Sequence, residues 1–442
     1  MPITNKLANW LLGQLELMPI ENLSRNLLFD PERLFDRILG EREVEEVRAM
    51  LSRPQSGRDR VPTILMPGIL GSLLASVRGI STLLWINPTV LLDGKINLLN
   101  LNEDGTGDES PDVEIAPVGI EKLTYLKLII GLARETRLLE FPYDWRRHLE
   151  WNADILRNSI RRWSVASPGR RFVLVGHSMG GLLARTYLAR YPAEAEQYVE
   201  RVIMIGSPIY GAPLATLVFT SGTVPAEVVQ RLNPANDIER LAGNLPSAYQ
   251  LLPPPPELFP SCRAYPVNWD LYDAKAWNLP YIRQDYLDQA RQFHYMLAQS
   301  DPQVEIHQIA GCHQTTITDV RRFPQEDGES TRPVYALVRQ ENGEDSGDNT
   351  VPLWSARCDG IPTYYIEEGH LTLPANRHVI EAVLKLAHGD KPDLSTKIPA
   401  SNGLLERLLS PASILQQVAD LRQRMEEGEF GLEDIHKLFF TR

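Results

Sequence analysis

The sequence predicts an α/β protein, a mainly parallel sheet with helices on both faces. Three observations lead there. Short apolar runs of strand length recur at residues 61–69, 137–145, 171–176, 201–208, 304–311 and 362–369. Helical patterns such as TYLKLIIGLARET and NADILRNSIRRW separate several of them, the order expected of strands joined by helical crossovers. One run, RFVLVG, passes directly into His-Ser-Met-Gly-Gly and then into a helical pattern.

Composition narrows the function. The chain has 442 residues, enough for one large domain with insertions or for two to three domains. Hydrophobic residues make up 43% and charged residues 23%, the proportions of a soluble globular protein. The formal net charge of −12 repels phosphate backbones, so nucleic acid is not an expected partner. Cys262, Cys312 and Cys358 are odd in number and widely spaced, which gives neither a disulfide framework nor a metal-ligand pattern. With no HExxH and no spaced Cys/His set, no metal or cofactor is expected.

Taken in order, residues 1–60 form a helical extension. Leu7, Leu11, Leu15 and Met18 recur at helical spacing, and Pro31 opens a second helix through Leu34, Ile38 and Leu39. Only Lys6 and Arg25 are basic before Asp30, so the first helix lacks the cationic face of an interfacial anchor and is expected to pack on the core. The N-terminal stretch has no basic region and no cleavage site of a signal peptide, and no run reaches membrane-spanning length. The expected location is cytoplasmic, with peripheral contact at a membrane surface.

The sheet core is assigned to 61–211 and 303–395. Within it, the acidic loop at 102–112 lacks EF-hand spacing and reads as solvated. Residues 212–302 carry four consecutive prolines, Pro253 to Pro256, which fit neither a helix nor a sheet interior. This segment reads as a cap over the sheet edge, with helices at AEVVQRL, DIERLAGNL and DYLDQARQFHYMLAQ. Residues 396–442 form a tail in which Ile414, Val418, Leu421 and Met425 share one stripe. That stripe suits a helix docked on the same chain. A second copy or a partner protein held by the terminal helices is the alternative.

The chemistry starts at Ser178. A sharp strand-to-helix turn strains the residue at its apex and requires small neighbours, and Gly176 and Gly180 flank Ser178 two positions to either side. Such a turn lifts the hydroxyl above the sheet and aims a helix N-terminus at the same point, favouring negative charge there. This is the nucleophile elbow of the α/β-hydrolase fold; a Gly-rich turn in a nucleotide-binding sheet is the weaker alternative.

A serine nucleophile needs an oriented base, and in this fold acid and histidine follow it in that order. The acid candidate is Asp348 in DSGDNTVPLWSA, with Asp345 as runner-up. The base candidate is His370, placed after a strand and a glycine. His378 is its rival but opens a helical pattern; His313 precedes any good acid. His177, beside the nucleophile, must point away from Ser178. A tetrahedral oxyanion needs two backbone donors. These are expected to be the N–H of Met179 and that of Ile69, in a loop where Gly68 turns the chain sharply.

Together these motifs resemble the lecithin:cholesterol acyltransferase-like α/β-hydrolases, which include phospholipid acyltransferases and phospholipases. The resemblance runs from about Thr63 to His388 and rests on PGILGS, LLWINP, FPYDWRR, GHSMGG, IGSPIYGAP, PSAYQLLP, GDNTVPLWSA and EEGHLTLP. It implies Ser178 as nucleophile, Asp348 as acid, His370 as base, Ile69 and Met179 as oxyanion donors, and Asp144 with Arg146 as a structural pair beneath the site. It implies acyl esters of glycerolipids as substrates, with 212–302 over the acyl pocket. Residues 1–60 and the tail have no counterpart in the family pattern. The expected activity is therefore a serine lipase or phospholipase working through an acyl-enzyme, with acyl transfer to an alcohol as the alternative. A hydrolase fold kept as an interaction module is a second alternative.

Overall fold

The computed structural model describes residues 16–29, 34–55, 57–78, 82–85, 87–220, 229, 233–261, 263–323, 334–343, 346–400 and 424. The expected helices over Leu7 to Leu15 and over Ile414 to Met425, most of AEVVQRL, and both Asp345 and Cys262 lie outside the described residues. No helix among the described residues is long and apolar enough to cross a membrane.

Among the described residues the first three helices are α1 (Ile20–Leu28), α2 (Leu34–Leu39) and α3 (Glu41–Ser52). The central sheet uses β1 (Pro62–Met66), then β5 (Arg137–Glu140), β6 (Phe172–His177), β7 (Val199–Ile205), β8 (Glu305–Cys312) and β11 (Thr363–Glu367). Their order is β11-β8-β7-β6-β1-β5, and every neighbouring pair is parallel. Helices α4 (Lys122–Glu135), α5 (Leu149–Val165), α6 (Met179–Arg190) and α8 (Arg377–Ala387) cover it, with α7 (Gln284–Gln299) laid against α6.

The sequence explains the two faces. Along β6, Phe172 and Leu174 join the core of α5 and α6, while Val173 and Val175 join that of α4 and α8. Strands buried on both sides read as continuous apolar runs, which is why RFVLVG shows no alternation. A third layer lies outside α4, where Leu126 and Ile130 meet Leu23 and Leu27 of α1 and Val44 and Val47 of α3.

Two smaller sheets flank this core. β2 (Ser72–Ser76) pairs antiparallel with β3 (Thr82–Trp85) and β4 (Ile115–Ile120), and β9 (Thr316–Phe323) pairs antiparallel with β10 (Val334–Gln340). β5 is shorter than its apolar run because Pro142 has no N–H to continue a ladder. In 212–302 the proline run is held by its carbonyls: Tyr272 donates to Pro253 at 2.9 Å and Tyr265 to Pro254 at 2.9 Å.

The chain order places the site. After β1 the chain builds β5 on one side, then returns to build β6, β7, β8 and β11 on the other. The carboxyl ends of β1 and β6 therefore open side by side at the point where the winding reverses, the usual place for a ligand crevice in such a sheet.

In the segment that follows β5, Arg146 is fully buried. It donates to Asp144 at 2.9 and 2.8 Å, to Asp108 at 2.8 Å and to the Leu99 carbonyl at 3.1 Å. The acidic loop read as solvated is thus tied inward at Asp108. Removing one member of a buried ion network strands the others in low dielectric. Arg146→Met is expected to cost about 3–5 kcal/mol, read as a lower urea midpoint, with Asp108→Asn costing less because Asp144 keeps its pair. An unchanged midpoint for Arg146→Met would contradict this role.

Candidate active site

The site begins with backbone geometry. Ser178 caps the N-terminus of α6 with φ 53° and ψ −123°, a conformation that costs a non-glycine residue energy. Its N–H donates to the Ile205 carbonyl of β7 at 2.8 Å, and its carbonyl accepts from Gly181 at 3.0 Å, so the turn is pinned from both sides. The flanking glycines are needed for space. A Cβ on Gly176 would lie 2.5 Å from the Gly180 backbone, and one on Gly180 would overlap the Met66 and Pro67 carbonyl oxygens.

Three side chains then line up. The Ser178 hydroxyl lies 2.9 Å from His370 Nε2, and His370 Nδ1 lies 2.7 Å from Asp348 Oδ2. The other carboxylate oxygen of Asp348 accepts from the N–H groups of Val351 at 2.7 Å and Thr350 at 3.0 Å. The Asp348 carbonyl accepts the His370 N–H at 2.7 Å, which locks acid and base loops together. With Asp348 1% and His370 5% exposed, the pair is shielded, while Ser178 keeps 7% at the surface of the crevice. The carboxylate fixes the proton on Nδ1 and leaves the Nε2 lone pair facing the serine O–H.

The competing histidines lie elsewhere. His378 is exposed near the start of α8, where Arg377 donates to its ring at 3.2 Å. His313 points its Nε2 at the Pro399 carbonyl, 2.7 Å away. Among the described residues no group of three or more His, Cys, Asp or Glu could hold a metal.

The loop after β1 faces the serine. The amides of Ile69 and Met179 have no acceptor among the described residues, which leaves both free for a ligand oxygen. The strained residue in this loop is Leu70, with φ 65°, rather than Gly68. Trp85 Nε1 donates to the Leu70 carbonyl at 2.8 Å and holds that conformation. Gly68 serves a different need: a Cβ there would sit 3.0 Å from Ser178 Cβ.

Sequence reasoning missed several supporting residues. Gly206 has φ 57°, and a Cβ there would press on Asp348 and His370, each 3.1 Å away; Gly311 has the same close approach to the Asp348 backbone and Cβ. The IGSP and AGC stretches carried that signal. Tyr125 is the other omission. Its hydroxyl accepts the Gly68 N–H at 2.8 Å and meets His177 Nδ1 at 2.7 Å, while His177 Nε2 meets the His370 carbonyl at 3.1 Å. Burial, reinforced by the neighbouring His370, holds His177 well below the usual imidazole range, so its ring is neutral. Burial also raises Tyr125, which keeps its proton.

The chain is similar in part to known proteins. Residues 121–275 match the family model described as lecithin:cholesterol acyltransferase. The lecithin-cholesterol acyltransferase-like 4 protein of Arabidopsis thaliana is 24% identical over 386 residues, covering 68% of this chain and 70% of the relative. Phospholipase A(1) LCAT3 of the same plant is 27% identical over 193 residues, covering 35% of this chain and 43% of the relative. Among solved structures, the Tle4–Tli4 complex aligns with TM-score 0.47 and 14% identity over 76% of this chain and 99% of the other. The mature lipase BlEst2 of Bacillus licheniformis aligns with TM-score 0.35 and 13% identity over 76% and 93%. The sheet order, with its elbow at the switch point, is that of an α/β-hydrolase fold, and over residues 121–275 and along both plant relatives the chain is similar to lecithin:cholesterol acyltransferase-like proteins, a likeness that supports an acyl esterase or acyltransferase.

Proposed function

We propose that Ser178, His370 and Asp348 work as nucleophile, base and orienting acid in the cleavage of phospholipid acyl esters. The observation that supports this most is the hydrogen-bonded chain from Ser178 to His370 to Asp348 at 2.9 and 2.7 Å, mounted on a strained elbow. In this reading Ser178 Oγ adds to the ester carbonyl carbon as its proton passes to His370 Nε2. The tetrahedral oxyanion takes hydrogen bonds from the N–H groups of Ile69 and Met179. Asp348 stabilises the imidazolium, which returns the proton to the leaving alcohol oxygen as the acyl–oxygen bond breaks. Water, deprotonated by His370, then adds to the acyl-enzyme, and collapse releases fatty acid and free serine. Residues 212–302 act as a cap over the acyl chain, and substrate is drawn from a membrane surface.

One relative is named phospholipase A(1), which favours a phospholipid donor and water as acceptor. The acyltransferase-like name of the other favours the second reading, in which an alcohol replaces water in the second half. The two halves use the same residues, so products decide between them.

Mass spectrometry of products from mixed-phospholipid vesicles containing a long-chain alcohol separates the readings, with Ser178→Ala as the blank. Free fatty acid with lysophospholipid is the expected outcome. A new ester of the alcohol with little free acid would instead mean an acyltransferase, and equal product from Ser178→Ala would remove Ser178 from the chemistry. On a soluble ester, His370→Ala and Asp348→Asn are each expected to lower kcat by at least about 10⁴-fold. His378→Ala is expected to stay within about threefold of the parent because surface changes away from a site rarely matter. A loss for His378→Ala matching that of His370→Ala would move the base.

A further inference from the structure

A buried polar pair beside Ser178 is not used by the proposed chemistry. Tyr125 on α4 and His177 at the end of β6 are each 2% exposed, and burying polar groups there costs free energy that an apolar pair of similar size would avoid. Every polar atom of the pair is nevertheless matched. The Tyr125 oxygen accepts from Gly68 N–H, so its own proton goes to His177 Nδ1; the neutral ring then carries its proton on Nε2 and donates to the His370 carbonyl. The rings support the same arrangement: Tyr125 meets His177 edge-on at 5.6 Å, and His177 lies tilted against His370 at 4.8 Å.

We propose that Tyr125 and His177 are positioning residues, a one-directional relay that holds the loop after β1 and the backbone of His370 in a single register around Ser178. The proposal rests on reading Ser178–His370–Asp348 as the catalytic chain. The relay has two consequences. It occupies the Gly68 amide and so leaves the Ile69 amide as the one presented to the oxyanion. It also holds the His370 carbonyl while the Asp348 carbonyl holds the His370 N–H, so the base is clamped through both of its backbone groups. Preorganised donors and a fixed base act on the transition state rather than on substrate binding.

Tyr125→Phe removes only the hydroxyl. On a soluble ester it is expected to lower kcat by about one to two orders of magnitude, the loss that follows when buried polar groups are stranded, with KM within about twofold. Ser178→Ala is run in the same assay. A silent Ser178→Ala beside an unchanged kcat for Tyr125→Phe would overturn the relay alone, whereas turnover by Ser178→Ala would overturn the catalytic chain itself. Nitrogen-15 NMR of histidine-labelled wild-type protein at neutral pH tests the relay without depending on how any variant folds. His177 is expected to be neutral with its proton on Nε2. A proton on Nδ1, or on both nitrogens, would overturn the proposal.

Discussion

The site depends on a backbone constraint at Ser178. A residue with a Cβ is held at φ 53° between the end of β6 and the first turn of α6; only glycine at 176 and 180 lets strand, helix and the β1 loop come so close, and Gly181 makes room for Ser207 after β7. Strain of this kind costs on the order of 1–3 kcal/mol and persists only where surrounding structure over-determines it. Here the over-determination is visible. Parallel pairing of β6 with β1 and β7 fixes the strand, and the Ser178 amide is tied to Ile205. The result is a hydroxyl presented at the switch point of the sheet, beside the first free amide of a helix.

The remaining parts are brought to that point by loops that bind one another more than they bind the serine. Asp348 accepts two backbone amides through one carboxylate oxygen and holds His370 through the other, while its carbonyl holds the His370 amide. Gly206 and Gly311 keep the space around this pair clear. Trp85 secures Leu70 and Tyr125 secures Gly68, so the loop after β1 is fixed at two points within one turn. The buried Arg146 network then joins the FPYDWRR segment to the acidic loop.

Much of this was legible in the sequence, and the reason is local. GHSMGG encodes its own turn chemistry, and the order of acid and histidine along the chain narrows the choice to Asp348 and His370, which lie 22 positions apart and bond directly. The central parallel strands β1 and β6 announced themselves as apolar runs because both of their faces are buried. What escaped was set by long-range packing. Tyr125 reads as one more core residue in TYLKLII, and nothing in that stretch reveals a partner 52 positions away. The antiparallel strand β2 is buried at every position, so it lacks the alternation that marks a half-exposed strand. Leu70 gives no sign that it must adopt φ 65°, since the neighbouring Gly68 is the more obvious place for a turn. Asp108 looked like one more solvated carboxylate because its partner, Arg146, lies 38 positions away.

The central claim is that a single activated serine forms the acyl-enzyme. Labelling the intact protein with a fluorophosphonate probe, followed by peptide mapping, tests it most directly. The account predicts one adduct per chain, on the peptide containing Ser178, absent from Ser178→Ala and greatly slowed in His370→Ala. An adduct on another residue, or labelling of Ser178 at the same rate without His370, would contradict it.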